Sequence, residues 1–249
     1  MLRQLLLSAI LCMFLLPVSA QFSKGTRMIG ATIASGFFSS GDATHRVTDI
    51  GSTSSKLNAY ELKLSPSLGW FLSQNTAVGI SFNLNPGGEK VTFQENGTTF
   101  QKDETRKFTI SIGGFARNYF KSTGSFLPFG QFGFDLGITS QNAEGFFYGG
   151  TGGNVYREAY SSKSSAGFAA NATLTLGVTK MMGSQTGLDL FIGYNYSNNK
   201  ITMNTSTTRD EGNDGSIEET GTQETVSQLS NHRFIIGVGF QVFLSRAKK

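Results

Sequence analysis

An alternation of apolar and polar side chains constrains the fold of this chain more than any other feature. Successive side chains of a β-strand point to opposite faces, so a period of two predicts a strand with two unlike faces. The same alternation recurs along most of the chain, and which face meets water decides what kind of protein it is. The apolar positions of the clearest segment are Tyr60, Leu62, Leu64, Pro66, Leu68, Trp70 and Leu72.

The first twenty residues have the features of a secretory signal peptide. Arg3 precedes an apolar stretch over residues 5–16, which ends in a small-x-small pattern at Ala20 that suits signal peptidase. We expect residues 1–20 to be removed and residues 21–249 to form a single domain. The one cysteine, Cys12, lies in the removed segment, so the mature chain has neither a disulfide framework nor a thiolate metal site.

Composition and charge exclude several classes of protein. Charged residues make up 15% of the sequence, against about a quarter in a typical soluble domain. The net charge of +4 is small and the basic residues form no stripe, so we expect no nucleic-acid partner. After the signal segment no apolar run approaches the ~20 residues of a membrane-spanning helix. This excludes a spanning helix but leaves a spanning barrel open.

Eight segments carry the alternation, and the links between them are short and long by turns. The short links are rich in turn-forming residues, and the long links are polar. Outer portions of the long links can extend the strands as hairpin arms, and the acidic fourth link is expected to have a mobile tip. Short links at one end and long links at the other indicate an up-and-down barrel. The segments lie near residues 27–38, 57–72, 77–85, 106–120, 126–139, 165–180, 187–198 and 231–244, and the long links near 39–56, 86–105, 140–164 and 199–230.

The two faces of these strands differ in a way that favours a membrane barrel over a soluble one. No charged residue interrupts the apolar face in the centre of any strand, and a charge facing lipid at mid-depth costs about 2–4 kcal/mol. Glycine and small polar residues dominate the opposite face and suit the narrow inside of an eight-stranded barrel. A lipocalin-like barrel has the reverse arrangement. We therefore predict a transmembrane eight-stranded antiparallel up-and-down β-barrel with its strands within residues 27–244.

Three short stretches carry a resemblance to a known group of proteins. They are residues 66–72 (PSLGWFL), 115–120 (FARNYF) and 126–133 (FLPFGQFG). They resemble small outer-membrane β-barrel proteins of Bacteroidetes-type bacteria, within the broad OmpA/OmpX-like, porin-family group. The resemblance implies a barrel in the outer membrane of a Gram-negative bacterium, with short periplasmic turns and long extracellular loops. Its partners would be outer-membrane lipid and, during insertion, the barrel-assembly machinery.

Two features depart from the pattern of that group. Asn118 stands in an Arg-Asn-Tyr sequence where the group often has Arg-Tyr-Tyr. Residues 245–249 follow the last apolar position, whereas many such barrels end on an aromatic residue. The insertion signal is then expected to be internal, around residues 237–244.

Charged residues on the polar face form the candidate functional constellation. One interpretation is a plugged lumen in which the charges must pair, because isolated buried charges are costly. The alternative is a gated proton or ion path through a switchable network. We expect Arg117 and Asp189 to share one network near the short-link end, and Glu61, Lys63, Lys107 and Asp135 to lie higher and form another. The full set is Glu61, Lys63, Lys107, Arg117, Asp135, Asp189 and Arg233.

An enzyme would have to use one of two histidines, His45 or His232. Some eight-stranded barrels modify lipid A with a histidine, a serine and an acid near the outer leaflet. Ser230 and Glu224 lie near His232 in sequence, as Asp42 does near His45, but such residues are common in polar loops. The histidines lack metal-ligand spacing, and Asp210, Asp214 and Glu218 lack the calcium-loop pattern.

These observations favour a non-enzymatic role. We expect a monomeric structural or surface-contact barrel with a closed, charge-paired lumen, whose extracellular loops contact a ligand or surface partner. A narrow gated channel for ions or small solutes is the alternative, and a lipid A-modifying enzyme is the second alternative. We expect no cofactor and no metal.

Overall fold

A computed structural model describes residues 22–36, 39–47, 51–95, 97–120, 124–151 and 154–245. The expected signal peptide and its cleavage point lie outside these residues. The described chain consists of strands joined by turns, and none of its described parts forms a helix long and apolar enough to cross a membrane. The strands are β1 (Arg27–Gly36), β2 (Ser39–Val47), β3 (Gly51–Phe71), β4 (Thr76–Glu95), β5 (Thr98–Tyr119), β6 (Phe126–Thr151), β7 (Asn154–Ser164), β8 (Gly167–Met181), β9 (Thr186–Glu211) and β10 (Glu219–Leu244).

Eight of these strands close into a ring by antiparallel pairing alone. The order around the ring is β1, β3, β4, β5, β6, β8, β9 and β10. Strand β1 closes it, since Arg27 pairs with both Leu244 of β10 and Trp70 of β3. Closure leaves no unpaired edge within this ring. The predicted eight-stranded antiparallel barrel is confirmed.

The remaining two strands extend the wall beyond the ring. Strand β2 follows β1 and pairs with the first part of β3, while β7 precedes β8 and pairs between β6 and β9. Most of the ranges assigned as long links are therefore strand, which corrects the boundaries expected from sequence. Residues 199–209 and 219–229, for example, pair without a break in register. Threonines and other β-branched side chains in these polar ranges suit a hairpin that is solvated on both faces.

The two ends of the barrel are built differently. At the short-turn end, residues 72–75 and 182–185 are tight turns, and Leu72 and Met182 donate to the carbonyls of Thr76 and Thr186. Residues 22–26 also cross this end before β1 begins. At the hairpin end, β4–β5, β6–β7 and β9–β10 continue well past the ring as paired hairpins. The interior is therefore bounded by close-packed residues at one end and is open at the other.

The alternation of the sequence sets which side chains point into the barrel. Large apolar side chains on the outward positions are exposed all round the ring, such as Ile112 at 64%, Ile192 at 64% and Phe234 at 66%. The inward positions hold the buried core and the buried polar residues. A continuous outward apolar belt on this scale is far larger than the apolar patches of a soluble monomer.

Candidate functional site

A cluster of aromatic rings fills the short-turn end of the interior. Phe22, which lies before β1, packs its ring against Phe71 at 4.4 Å, Phe243 at 4.6 Å and Tyr119 at 5.3 Å between centroids. Its backbone N–H donates to the carbonyl of Gln74. Phe129 meets Tyr119 edge-on at 5.9 Å. We call Phe22, Phe71, Tyr119, Phe129 and Phe243 the aromatic plug.

Directly above the plug lies a fully buried ion pair. Arg117 on β5 donates to Asp189 on β9 at 2.7 Å, and their side chains are 4% and 0% exposed. Arg117 also donates to Gln131, while Asp189 accepts from Thr179 at 2.6 Å and Gln241 at 3.0 Å. We call these five residues the lower network. The Arg117 guanidinium lies over the ring of Phe129, 4.1 Å from its centroid, which ties the network to the plug.

A second set of polar contacts crosses the interior higher up. Lys63 on β3 reaches Asp135 on β6 at 3.3 Å. Ser111 and Asn171 donate to the other oxygen of Asp135 at 2.6 and 2.7 Å. We call these four residues the middle network. It satisfies Asp135 completely, as a buried carboxylate requires.

The remaining inward charges lie towards the hairpin end. Arg233 on β10 forms an ion pair with Glu61 on β3, and its guanidinium also reaches Ser197 at 3.4 Å. Lys107 differs from the other six charged residues, because it makes no ion pair with any carboxylate of the described chain. The structure therefore divides the seven residues into three pairs and one unpaired lysine.

Among the described residues, three cavities lie along the interior, between or above these networks. One of about 70 Å³ lies between the lower and middle networks, lined by Ser81, Phe115 and Thr173 among others. One of about 30 Å³ lies between Lys63 and Arg233. The third, of about 670 Å³, opens at the hairpin end and is lined by Glu61, Lys107 and other residues of five strands. We call the third the mouth cavity.

The aromatic plug is the functional feature that sequence reasoning missed. The inward face was expected to hold glycine, small polar residues and charges, which does describe its middle. Phe71, Phe129 and Phe243 occupy the same face, yet large aromatic residues in an alternating strand suggest the lipid side. Phe71 and Phe129 are close in sequence to short links, and Phe243 is near the end of β10. That shared position was the available signal, since large inward side chains clustered at one end close a narrow barrel.

His232 has surroundings of its own on the outward face. Its Nδ1 is hydrogen-bonded to the hydroxyl of Tyr194, and its ring lies 5.0 Å from that of Tyr196. Ser230 accepts from Asn198 at 2.8 Å, and no described carboxylate is bonded to His232 or Ser230. The side chains of Asp42 and His45 lie outside the described part of the chain.

Three carboxylates meet at the tip of the β9–β10 hairpin. Oxygens of Asp210, Asp214 and Glu218 lie within 4.8 Å of one another. Asp210 accepts the backbone N–H groups of Asp214 at 3.1 Å and Gly215 at 3.0 Å, and Glu218 accepts that of Glu211 at 2.7 Å. The turn itself thus accounts for this arrangement.

Comparisons with known proteins find likeness in fold only. No protein-family model matches the chain, and no curated protein matches it. Among solved structures it is similar to the outer membrane protein OprG from Pseudomonas aeruginosa, with a TM-score of 0.45 and 12% identity over 92% of this chain and all of that one. The outer membrane protein AlkL, solved in lipid bilayers, gives a TM-score of 0.39 and 14% identity over 94% of this chain and 97% of that one.

The outer membrane protease OmpT from Escherichia coli is also similar. Its TM-score is 0.30, with 9% identity over 92% of this chain and 99% of that one. The three structures thus include a protease as well as proteins whose names give no activity.

Proposed function

We propose that this chain is a non-enzymatic outer-membrane β-barrel with a closed lumen, whose hairpin end faces the outside of the cell. The outward apolar belt supports placement in a membrane, because no soluble monomer leaves such an area exposed to water. In barrels of this class the short turns face the periplasm and the longer connections face outward. The aromatic plug then lies at the periplasmic end.

The stacking of the plug beneath the lower network is the observation that carries this proposal. Tyr119, Phe71 and Phe243 are each at most 2% exposed, and the charges above them are equally buried. An eight-stranded barrel has room for little more than its own side chains. A solute would have to displace the aromatic plug, the lower network and then the middle network, and each of these is held by several contacts.

Electrical recording from planar bilayers tests the closed lumen. The purified protein is expected to give no sustained conductance. The double variant Arg117→Ala and Asp189→Ala is also expected to stay closed, because the plug and the middle network remain. Glu104→Ala with Arg106→Ala serves as the matched control, since this ion pair is on the outer surface. Steady conductance by the unmodified barrel contradicts the proposal.

A narrow gated channel is the second candidate function. The observation that favours it is that the three cavities lie in series. The middle network and the Arg233–Glu61 pair separate them, and the lower network and the plug close the path below the lowest cavity. A conductance increase in the Arg117→Ala and Asp189→Ala variant, but not in the surface control, would identify the lower network as the gate. Unchanged conductance excludes that gate.

A lipid A-modifying role is tested separately at His232. The hydrogen bond to Tyr194 and the ring contact with Tyr196 suit an aromatic residue cluster at the lipid–water interface. We expect the variant His232→Ala to leave the lipid A acylation profile of the cell unchanged. A changed acylation profile would support the hypothesis that the chain is a lipid A-modifying enzyme.

A further inference from the structure

The mouth cavity contains one cation that the protein does not neutralise. Lys107 projects from β5 into this space, where no described carboxylate forms an ion pair with it. Arg233 lines the same cavity but is already paired with Glu61. Glu89 also lines the cavity, and it is exposed to solvent rather than bonded to Lys107.

Neutral hydrogen-bonding groups surround this lysine. Gln141 is the cross-strand neighbour of Lys107, and Asn231 faces the cavity from β10. Neither side-chain amide has a hydrogen-bond partner within the described residues. The ammonium group of Lys107 and the amide of Gln141 on one wall provide several donors to a single incoming oxyanion, and Asn231 adds a free amide on the opposite wall.

Part of the remaining cavity wall is apolar. Leu229 and Ala59 line it, and Gly87 leaves one stretch of the wall without side-chain bulk. At about 670 Å³ the cavity is within the range of small-molecule sites, in which a few polar groups orient a mainly apolar ligand.

We propose that the mouth cavity binds a small organic carboxylate with an apolar body, and that Lys107 holds the carboxylate. Gln141 on the neighbouring strand donates to its remaining lone pairs, and the apolar body lies against Leu229 and Ala59, with Asn231 facing it from β10. This site goes beyond the closed lumen and does not depend on it, because the cavity is open at the hairpin end whether or not the layers below it part.

Binding of benzoate to the barrel in lipid nanodiscs, measured by calorimetry against empty nanodiscs, tests the site. Benzoate is expected to bind saturably. Benzamide, which has the same shape without the charge, is expected to bind at least about tenfold more weakly, since a charge-assisted hydrogen bond contributes about 1.5–3 kcal/mol. Acetate, which lacks the apolar body, is expected to bind more weakly than benzoate.

Variants assign the binding to the lysine. Lys107→Gln is expected to weaken benzoate binding at least about tenfold, and Lys107→Arg to retain it, because Arg keeps the cation. Lys200→Gln is the matched control, since Lys200 points away from the interior beside Phe168. Absence of saturable benzoate binding, or equal binding by Lys107→Gln and the unmodified barrel, overturns the proposal. Conductance does not enter this test, so its outcome is separate from that of the closed lumen.

Discussion

Arg117 and Asp189 meet across the interior of the barrel, from strands that are not neighbours in the ring, at 2.7 Å. Two further strands contribute, since Thr179 on β8 and Gln241 on β10 also donate to Asp189. Four strands are thus linked at one level by side chains alone. The contact links opposite walls, which backbone pairing between neighbouring strands does not do.

Removal of one partner of this pair is expected to be costly. Arg117→Met leaves Asp189 charged and buried, which lowers the free energy of unfolding by about 3–5 kcal/mol. Asp189→Asn removes the charge; its carbonyl oxygen accepts from Gln241 and its amide group donates to the Thr179 hydroxyl, so the double variant is expected to recover part of that loss. Urea unfolding of the three variants in vesicles measures the coupling. Additive losses in the double variant would show that the two charges do not depend on each other.

A charge on the outward belt tests the placement of the barrel in lipid. Ile192→Lys is expected to lower the free energy of unfolding in vesicles by about 2–4 kcal/mol, because Ile192 lies in the middle of the apolar belt. Val226→Lys is the matched control, as Val226 is similarly exposed, at 57% against 64%, but lies on the β9–β10 hairpin. Equal effects of the two lysines would show that the belt does not face hydrocarbon. A purified protein that stays monodisperse without detergent would show the same.

The close approach of β5 and β6 is expected to require a glycine at position 113. A Cβ there would overlap the carbonyl oxygen of Phe134 and lie 2.5 Å from the Cβ of Asp135. Gly113→Ala is therefore expected to cost about 1–3 kcal/mol, as over-packing does, and to disturb the middle network. At the outward Gly114 the nearest atom to a new Cβ is 3.6 Å away. Gly114→Ala is thus the control, and thermal unfolding compares the two. If both variants unfold at the same temperature as the unmodified protein, the approach of β5 and β6 does not require a glycine at position 113.

An alkaline loss of stability is expected from Tyr160 on the β6–β7 hairpin, beyond the apolar belt. Burial, together with the hydrogen bond that its hydroxyl donates to Asp103 at 2.7 Å, raises the pKa of Tyr160. The unfolded phenol ionises near pH 10, while the folded one stays protonated, so the unfolded state binds fewer protons above that pH. The contribution of Tyr160 to the free energy of unfolding is then fully present below about pH 10 and decreases as the pH rises further.

The variant Tyr160→Phe is expected to reduce this loss. Unfolding free energies across the alkaline range measure it, with Tyr148→Phe on the same hairpin as the control for removing a phenol. The prediction is wrong if Tyr160→Phe and the unmodified barrel lose stability in parallel as the pH rises.

The sequence by itself determined the eight strands of the ring, their antiparallel order and the face to which each of their side chains points. It did not predict β2 and β7, which lie in ranges assigned as polar links. A period of two needs no tertiary information, because the pleat alone sends alternate residues to opposite faces. Alternating link lengths then fixed the up-and-down path. The sequence did not predict the full lengths of β4, β5, β9 and β10. Their outer parts are polar, and a polar hairpin has the same composition as a loop.

Only the tertiary structure decided which inward residues meet. Arg117 and Asp189 are 72 positions apart, and the curvature and stagger of the closed sheet bring them together. The same geometry leaves Lys107 without an ion pair to any described carboxylate, and it places Phe22, outside any strand, among three inward rings. Alternation specifies the face on which a side chain lies. Whether two inward side chains meet depends on their heights along the barrel axis and their angles around it, and the sequence of a single strand does not determine these.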